Sequence, residues 1–347
     1  MIDGVPESLA TRRRVNFMPE QRKPVLTQQD ESLANAFQNS LARGRESLKP
    51  FWALSRTPHG IIDMSTPCMA ALLWLGEFPA VSIIIVGLIT VFAGYTAVYA
   101  LNDVIGYRSD RAKLQAGGFE SAAHASDIDA LLVRHPMAQG LISLPAGLAW
   151  SIGWGLVAAF GAYWLNPICL LIFAAGCLLE AVYCLLWRVS PYRTIVSGVV
   201  KSTGAIAAVF AVDPTPSPFF LMALFLVIFF WEIGGQNAPN DWTDIEEDRR
   251  FGARTIPVTA GLKRTRDIIL GSLLLAVLSN LVLFLLSQTA FGPIYYLLTM
   301  ATGIYLLMWP AWTLYDSERK TDAMRLFNRA SYFPLALLAI VVTRLIV

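Results

Sequence analysis

The sequence predicts an all-α integral membrane protein of nine transmembrane helices, and three observations predict it. Hydrophobic residues make up 55% of the 347-residue chain and charged residues only 15%, where soluble domains are roughly 45–50% apolar. The apolar residues gather into segments near the roughly 20 residues that a hydrocarbon core of about 30 Å requires. Lys and Arg fall almost wholly on alternate connections between those segments.

Residues 1–49 are polar and carry Arg12-Arg13-Arg14 far from any apolar core. They read as a cytosolic arm, partly helical or disordered, rather than a secretory signal. Positions 36–50 have the pattern of an amphipathic surface helix leading into the membrane. Residues 50–347 form the transmembrane domain, with spans expected near 58–76, 80–101, 141–163, 166–187, 194–212, 217–236, 267–288, 292–315 and 328–346. Asn166-Pro167 and Asp213-Pro214 punctuate two of the short connections. The long connections carry Arg108, Arg111, Lys113 and Arg134 after the second span, and Arg249, Arg250, Arg254, Lys263, Arg264 and Arg266 after the sixth. The opposite connections carry no Lys or Arg. The positive-inside rule then puts the N-terminus and both long connections in the cytoplasm, and a bacterial inner membrane is the expected location.

Two acidic clusters close apolar runs on that cytoplasmic side. One is Asn102-Asp103-Val-Ile-Gly106-Tyr-Arg108-Ser-Asp110; the other is Asn240-Asp241-Trp-Thr-Asp244-Ile-Glu246-Glu247-Asp248. At about 100° per residue, positions i and i+7 lie within about 20° of each other on a helix. Asp103 and Asp110 therefore share a face, as do Asp241, Asp244 and Asp248. Carboxylates gathered at a membrane edge suit Mg²⁺, which binds through a few oxygens plus substrate phosphates. The implied substrate is a phosphate or diphosphate with an apolar tail.

Charges inside the spans point to a cavity. Lys201 lies several residues into the fifth span, where a charge costs at least about 2.5–3.5 kcal/mol and so usually faces a cavity and a partner. Glu232 stands about two and a half helical turns before Asp241, in position to pair with Lys201 or to touch a second substrate. Asp63 opens the first span after Arg56 and is a further candidate on that side. Glu180 is another carboxylate within the spans. His59, His124 and His135 show no ligand spacing. Cys68, Cys169, Cys177 and Cys184 all lie in apolar runs without a CxxC pair, which fits buried structural thiols. No nucleotide loop, Ser-His-Asp arrangement or zinc spacing is present, and no nucleic-acid partner is expected.

The string Asn240-Asp241-x-x-Asp244-x-Glu246-x-Asp248-Arg249-x-x-Gly252-x-x-Thr255-x-Pro257-Val258 resembles the second aspartate-rich signature of the UbiA superfamily of intramembrane prenyltransferases. The first cluster resembles that family's other signature, with Gly106 standing where the family has a middle aspartate. Arg134-His135-Pro136-x-Ala138-x-Gly140 is similar to the element that enters the family's third helix, displaced here by an insertion between Leu114 and Asp129. The likeness runs from about residue 50 to the end. It implies a helical bundle around a cavity open to the cytoplasmic side. It also implies two Mg²⁺ ions, one held by Asn102, Asp103 and Asp110 and the other by Asp241, Asp244 and Asp248. Arg134, Arg188 and Lys201 would contact the diphosphate, with Asn240 beside them. The implied activity is transfer of a prenyl group from an isoprenyl diphosphate to an aromatic or other lipophilic acceptor. A terpene cyclase that ionises the same donor without an acceptor, and a transporter with intramembrane charges, remain alternatives.

Overall fold

A computed structural model of the protein describes residues 47–117, 126–130 and 132–347. The expected N-terminal arm, apart from its last three residues, and His124 in the insertion lie outside them. From Leu48 onward the chain forms one unit. Among the described residues there is no strand, and eight helices are long and apolar enough to cross a membrane.

The first expected span is broken into α1 (Thr57–Asp63) and α2 (Ser65–Leu75). Pro67 explains the break. It has no N–H to give to the Asp63 carbonyl four residues back, and its ring crowds that carbonyl. The remaining helices are α3 (Val81–Gln115), α4 (Leu144–Leu165), α5 (Pro167–Leu185), α6 (Arg193–Val212), α7 (Pro218–Thr243), α8 (Ile245–Arg250), α9 (Ile256–Leu285), α10 (Pro293–Ser317), α11 (Lys320–Ser331) and α12 (Phe333–Ile346). Several open on proline at the first turn, where its missing N–H costs nothing. Asn166 caps α5 through its side-chain oxygen, which accepts from the Ile168 N–H at 3.0 Å.

α3 packs along α4, α5 along α6, α7 along α9, and α2 against α6. Buried aliphatic and aromatic residues from α2, α6, α7, α9 and α12 make the main core, with Trp231, Phe220, Leu273 and Phe333 fully enclosed. Residues such as Ile85, Leu156, Phe160, Leu171 and Leu178 point outward uncovered. So large an apolar exterior is stable in a bilayer, and the protein is an integral membrane protein.

Two departures from regular helix position the site. α3 is 35 residues long, about 52 Å at 1.5 Å per residue. Its first 21 residues already match the membrane thickness, so Asn102, Asp103 and Asp110 emerge at one edge on a rigid rod. In α7 the turn Glu232–Asn237 widens into a π-helix, a feature that often marks functional sites. Gly234 and Gly235 allow it: an added Cβ would come within 2.9 Å of the Ile269 carbonyl and 2.8 Å of Ala330, respectively. The missing side chains let α7 lie close against α9 and α11.

Candidate functional site

Both acidic clusters stand at the same end of the bundle, and two adjacent residues tie them together. His135 places Nδ1 3.3 Å from Asp103 Oδ1 and 3.2 Å from Asp110 Oδ2. Arg134 donates from Nη2 to Asp244 Oδ2 at 3.1 Å. Adjacent residues therefore link the carboxylates of α3 to Asp244 of the second cluster. His135 adopts a left-handed backbone with φ 50°, which aims neighbouring side chains at opposite clusters. Burial opposes a charge on its ring, but Asp103 and Asp110 outweigh burial and raise its pKa to about 9.

The expected single face for Asp241, Asp244 and Asp248 is modified. The helix breaks at Asp244 (φ −101°, ψ 10°) between α7 and α8, and the break frees Asp244 from the helical row to meet Arg134. The three carboxylates still form one group, with relative exposures of 5%, 8% and 3%. Burial pushes the Asp248 carboxyl above its ordinary value; Lys113 pulls it back, and Asp244 adds repulsion. Lys113, from the end of α3, also pairs with Glu247 at 3.0 Å. Three buried carboxylates that repel one another need cationic compensation. Asp241 Oδ2 is buried with no hydrogen-bond partner among the described residues. An all-oxygen donor set with one buried oxygen to spare fits Mg²⁺.

A buried basic residue at the start of α6, Arg193, acts on this group. Arg193 is buried, donates to the Tyr183 hydroxyl, and stacks 4.2 Å over that ring. Its charge acts on Asp241 and Asp248. Asn237 Nδ2 donates to the same hydroxyl at 3.0 Å and its Oδ1 accepts from Thr194 at 2.8 Å, fixing the arrangement. Arg188 instead lies 5.2 Å over the Trp187 ring. Asn102, expected as a neutral ligand, donates its amide to Glu180 at 2.6 Å.

From this charged end a cavity of about 480 Å³ runs into the bundle. Asn102, Asn240, Glu180 and Tyr183 line it near the clusters, Tyr95, Tyr99, Lys201 and Glu232 line its middle, and Phe78, Ile84, Leu88 and Val212 line the rest. Along α3, Ile84 and Asn102 are about 27 Å apart, so the cavity follows most of the membrane depth. Lys201 does face the cavity, but its partner is Asp63 at 2.5 Å rather than Glu232. The Tyr99 hydroxyl also donates to Asp63, and His59 Nε2 stands 3.8 Å from it. Glu232 accepts from Ser197 at 2.6 Å. Arg56 lines the cavity as well; burial opposes its charge, but Asp103 and Asp129 outweigh burial and raise its pKa.

Sequence reasoning missed Arg193, Lys113 and Arg56 as parts of the site, and at His135 it read no ligand spacing. His135 stood in the Arg-His-Pro string, but its contacts with α3 are made through space and have no spacing to read. The other three looked like ordinary positive-inside charge.

The profile of the UbiA prenyltransferase family matches residues 64–332. The chain belongs to that family. This UbiA family member is 28% identical over 192 residues to the protoheme IX farnesyltransferase of Ruthia magnifica subsp. Calyptogena magnifica, covering 52% of this chain and 62% of that one. It is 29% identical over 196 residues to the protoheme IX farnesyltransferase of Vesicomyosocius okutanii subsp. Calyptogena okutanii, with the same coverage. The match thus spans less than two thirds of the length of these curated relatives.

Among solved structures, a UbiA homolog from Aeropyrum pernix K1 in its apo form superposes with a TM-score of 0.65 at 19% identity, covering 82% of this chain and 97% of that one. A digeranylgeranylglyceryl phosphate synthase structure gives 0.63 at 18%, covering 87% and 100%. A UbiA homolog from Archaeoglobus fulgidus bound to GPP and Mg²⁺ gives 0.61 at 14%, covering 84% and 99%. At these identities the likeness shows the fold, which is the helical bundle around a cavity that the sequence led us to expect.

Proposed function

We propose that this protein is a Mg²⁺-dependent intramembrane prenyltransferase that moves a prenyl group from an isoprenyl diphosphate to a lipophilic acceptor. The observation that carries this reading is the Arg134–His135 tie, which links the two carboxylate clusters, beside a long apolar cavity lined at that end by their neighbours Asn102 and Asn240. The names of the curated relatives support a farnesyl-sized donor and a large, conjugated acceptor. The GPP and Mg²⁺ bound by the Archaeoglobus homolog support the donor class and the metal. The basic residues at the clusters' end support a cytoplasmic mouth in a bacterial inner membrane.

Asp103 and Asp110, with Asn102 beside them, would hold one Mg²⁺, and Asp241, Asp244 and Asp248 the other. When bound, the ions supply positive charge to the leaving diphosphate. The chain's own part begins with Arg134, Lys113 and Arg193, which surround the same oxygens with fixed cations. Arg193 takes the diphosphate contact expected of Arg188, and Asn240 offers an amide at the mouth. The prenyl tail lies in the cavity, whose apolar wall keeps water away from the reacting carbon. The carbon–oxygen bond breaks with its electron pair leaving on the diphosphate. The allyl cation then takes a π-electron pair from an acceptor carbon, and the acceptor loses a proton. We assign that proton to Glu232, which is held by the neutral Ser197 hydroxyl. Asp63, already engaged by Lys201 and Tyr99, orients the acceptor.

The test is an assay in nanodiscs with farnesyl or geranylgeranyl diphosphate, Mg²⁺, and protoheme or aromatic acceptors, reading products by mass spectrometry. A prenylated acceptor released together with diphosphate supports the proposal. Hydrocarbons or alcohols formed from donor alone at equal rate replace it with a cyclase. No diphosphate turnover under any condition overturns it.

A further inference from the structure

We propose that His135 is a metal ligand at the first cluster, in place of the carboxylate that Gly106 lacks, and that this position prefers a first-row transition dication such as Fe²⁺ or Zn²⁺ over Mg²⁺. The inference deepens the function proposed above and rests on its premise that the first cluster holds a metal.

Positions 103, 106 and 110 lie on one face of α3 by helical spacing. A side chain at 106 would emerge between the two aspartates. Gly106 leaves that space open, and a Cβ built there would already crowd Asp110 Oδ2 at 3.0 Å. The imidazole of His135 reaches both aspartates from outside the helix, with Nδ1 3.3 Å and 3.2 Å from one oxygen of each. Its side chain is 12% exposed and those of Asp103 and Asp110 are 6% and 12%.

The three donor atoms all lie within 4.8 Å of one another. Neighbouring ligands around an octahedral ion at about 2.1 Å are separated by about 3.0 Å. The His135 edges are close to that value, so one ion can sit on the face formed by the three atoms, displacing to solvent the proton that Nδ1 shares with the two aspartates. An aromatic nitrogen in the set changes which ion is favoured. Imidazole suits Fe²⁺, Ni²⁺, Cu²⁺ and Zn²⁺, whereas carboxylate and water suit Mg²⁺ and Mn²⁺, so Mn²⁺ serves below as a paramagnetic probe that either set can hold. The second cluster keeps an all-oxygen set, so the two positions differ in preference within one site.

The decisive experiment is pulsed electron paramagnetic resonance on Mn²⁺-loaded protein in nanodiscs, without substrate. Wild type is expected to show electron-spin coupling to a directly bound nitrogen. Protein made with ¹⁵N-histidine should show that coupling replaced by the ¹⁵N pattern. His135→Asn should lose it and bind Mn²⁺ on the order of 10–100-fold more weakly. His135→Asp, which restores a carboxylate, should move the preference back toward Mg²⁺ in competition titrations. Bound Mn²⁺ with no histidine coupling overturns this inference and leaves the proposed function standing. No Mn²⁺ binding, with or without a non-hydrolysable isoprenyl diphosphate, overturns both. The isotope comparison uses unaltered protein and shows whether one of the chain's three histidines binds the ion; loss of the coupling in His135→Asn but not in His59→Asn or His124→Asn assigns it to His135.

Discussion

The side chain of Arg134 is 31% exposed while that of its partner Asp244 is 10% exposed, and that asymmetry sets what its removal does. Arg134→Ala takes away little packing but deletes a donor aimed at developing charge. Its kcat/KM for diphosphate release should fall by about 10²–10³, with thermal unfolding nearly unchanged. Arg134→Lys, keeping the charge without the planar fork, should fall in between. An undiminished rate in Arg134→Ala would remove this residue from the diphosphate site. Arg134 was legible because it stood in a string with a family likeness. Arg193 was not, because Lys and Arg at the ends of spans are common, and only burial against Tyr183 separates a site residue from a surface charge. The aspartates were legible from spacing alone, since helical periodicity fixes which of them share a face. Even so, the turn at Asp244 left no mark in that spacing.

At the scale of single elements, hydropathy found the spans and misjudged where helices end. It sees only the apolar part of a helix, so α3 was expected to stop near residue 101 although the helix runs on to Gln115. In the same way α9 begins at Ile256, well before its apolar stretch, and accommodates a kink at Gly261, φ 80°. The π turn of α7 is invisible to hydropathy, which carries no information about hydrogen-bond register. Lys201 on α6 was expected to have a cavity and a partner, and it has both. The partner is Asp63, brought in by the break between α1 and α2. Lys201→Met should therefore leave Asp63 buried without its cation, at a cost of about 3–5 kcal/mol. The double variant Lys201→Met with Asp63→Asn should regain most of that loss, as measured by thermal unfolding in detergent. A single variant as stable as wild type would mean that the pair does not hold α1 to α6.

For the whole molecule, the cavity and the clusters make separate predictions. Gly94 lines the cavity, and a Cβ there would lie 3.7 Å from Phe173. Gly94→Phe should fill the channel and shift the ratio of kcat/KM toward a ten-carbon donor over a fifteen-carbon donor by about tenfold or more. Equal losses for both lengths would place the tail elsewhere. At the charged end, divalent cation should stabilise the fold by linkage, by about 2.7 kcal/mol at a concentration 100 times its Kd. Chelation should lower the melting temperature, and Asp241→Asn with Asp248→Asn should reduce that response to the part supplied by the first cluster. The most direct measurement is a structure with Mg²⁺ and a farnesyl diphosphate whose bridging oxygen is replaced by sulfur. The diphosphate is expected between Asp103 and Asp110 on one side and Asp241, Asp244 and Asp248 on the other, with the tail running along α3 inside the cavity. A diphosphate bound away from either group, or a tail lying on the lipid-facing surface, would contradict the shared site.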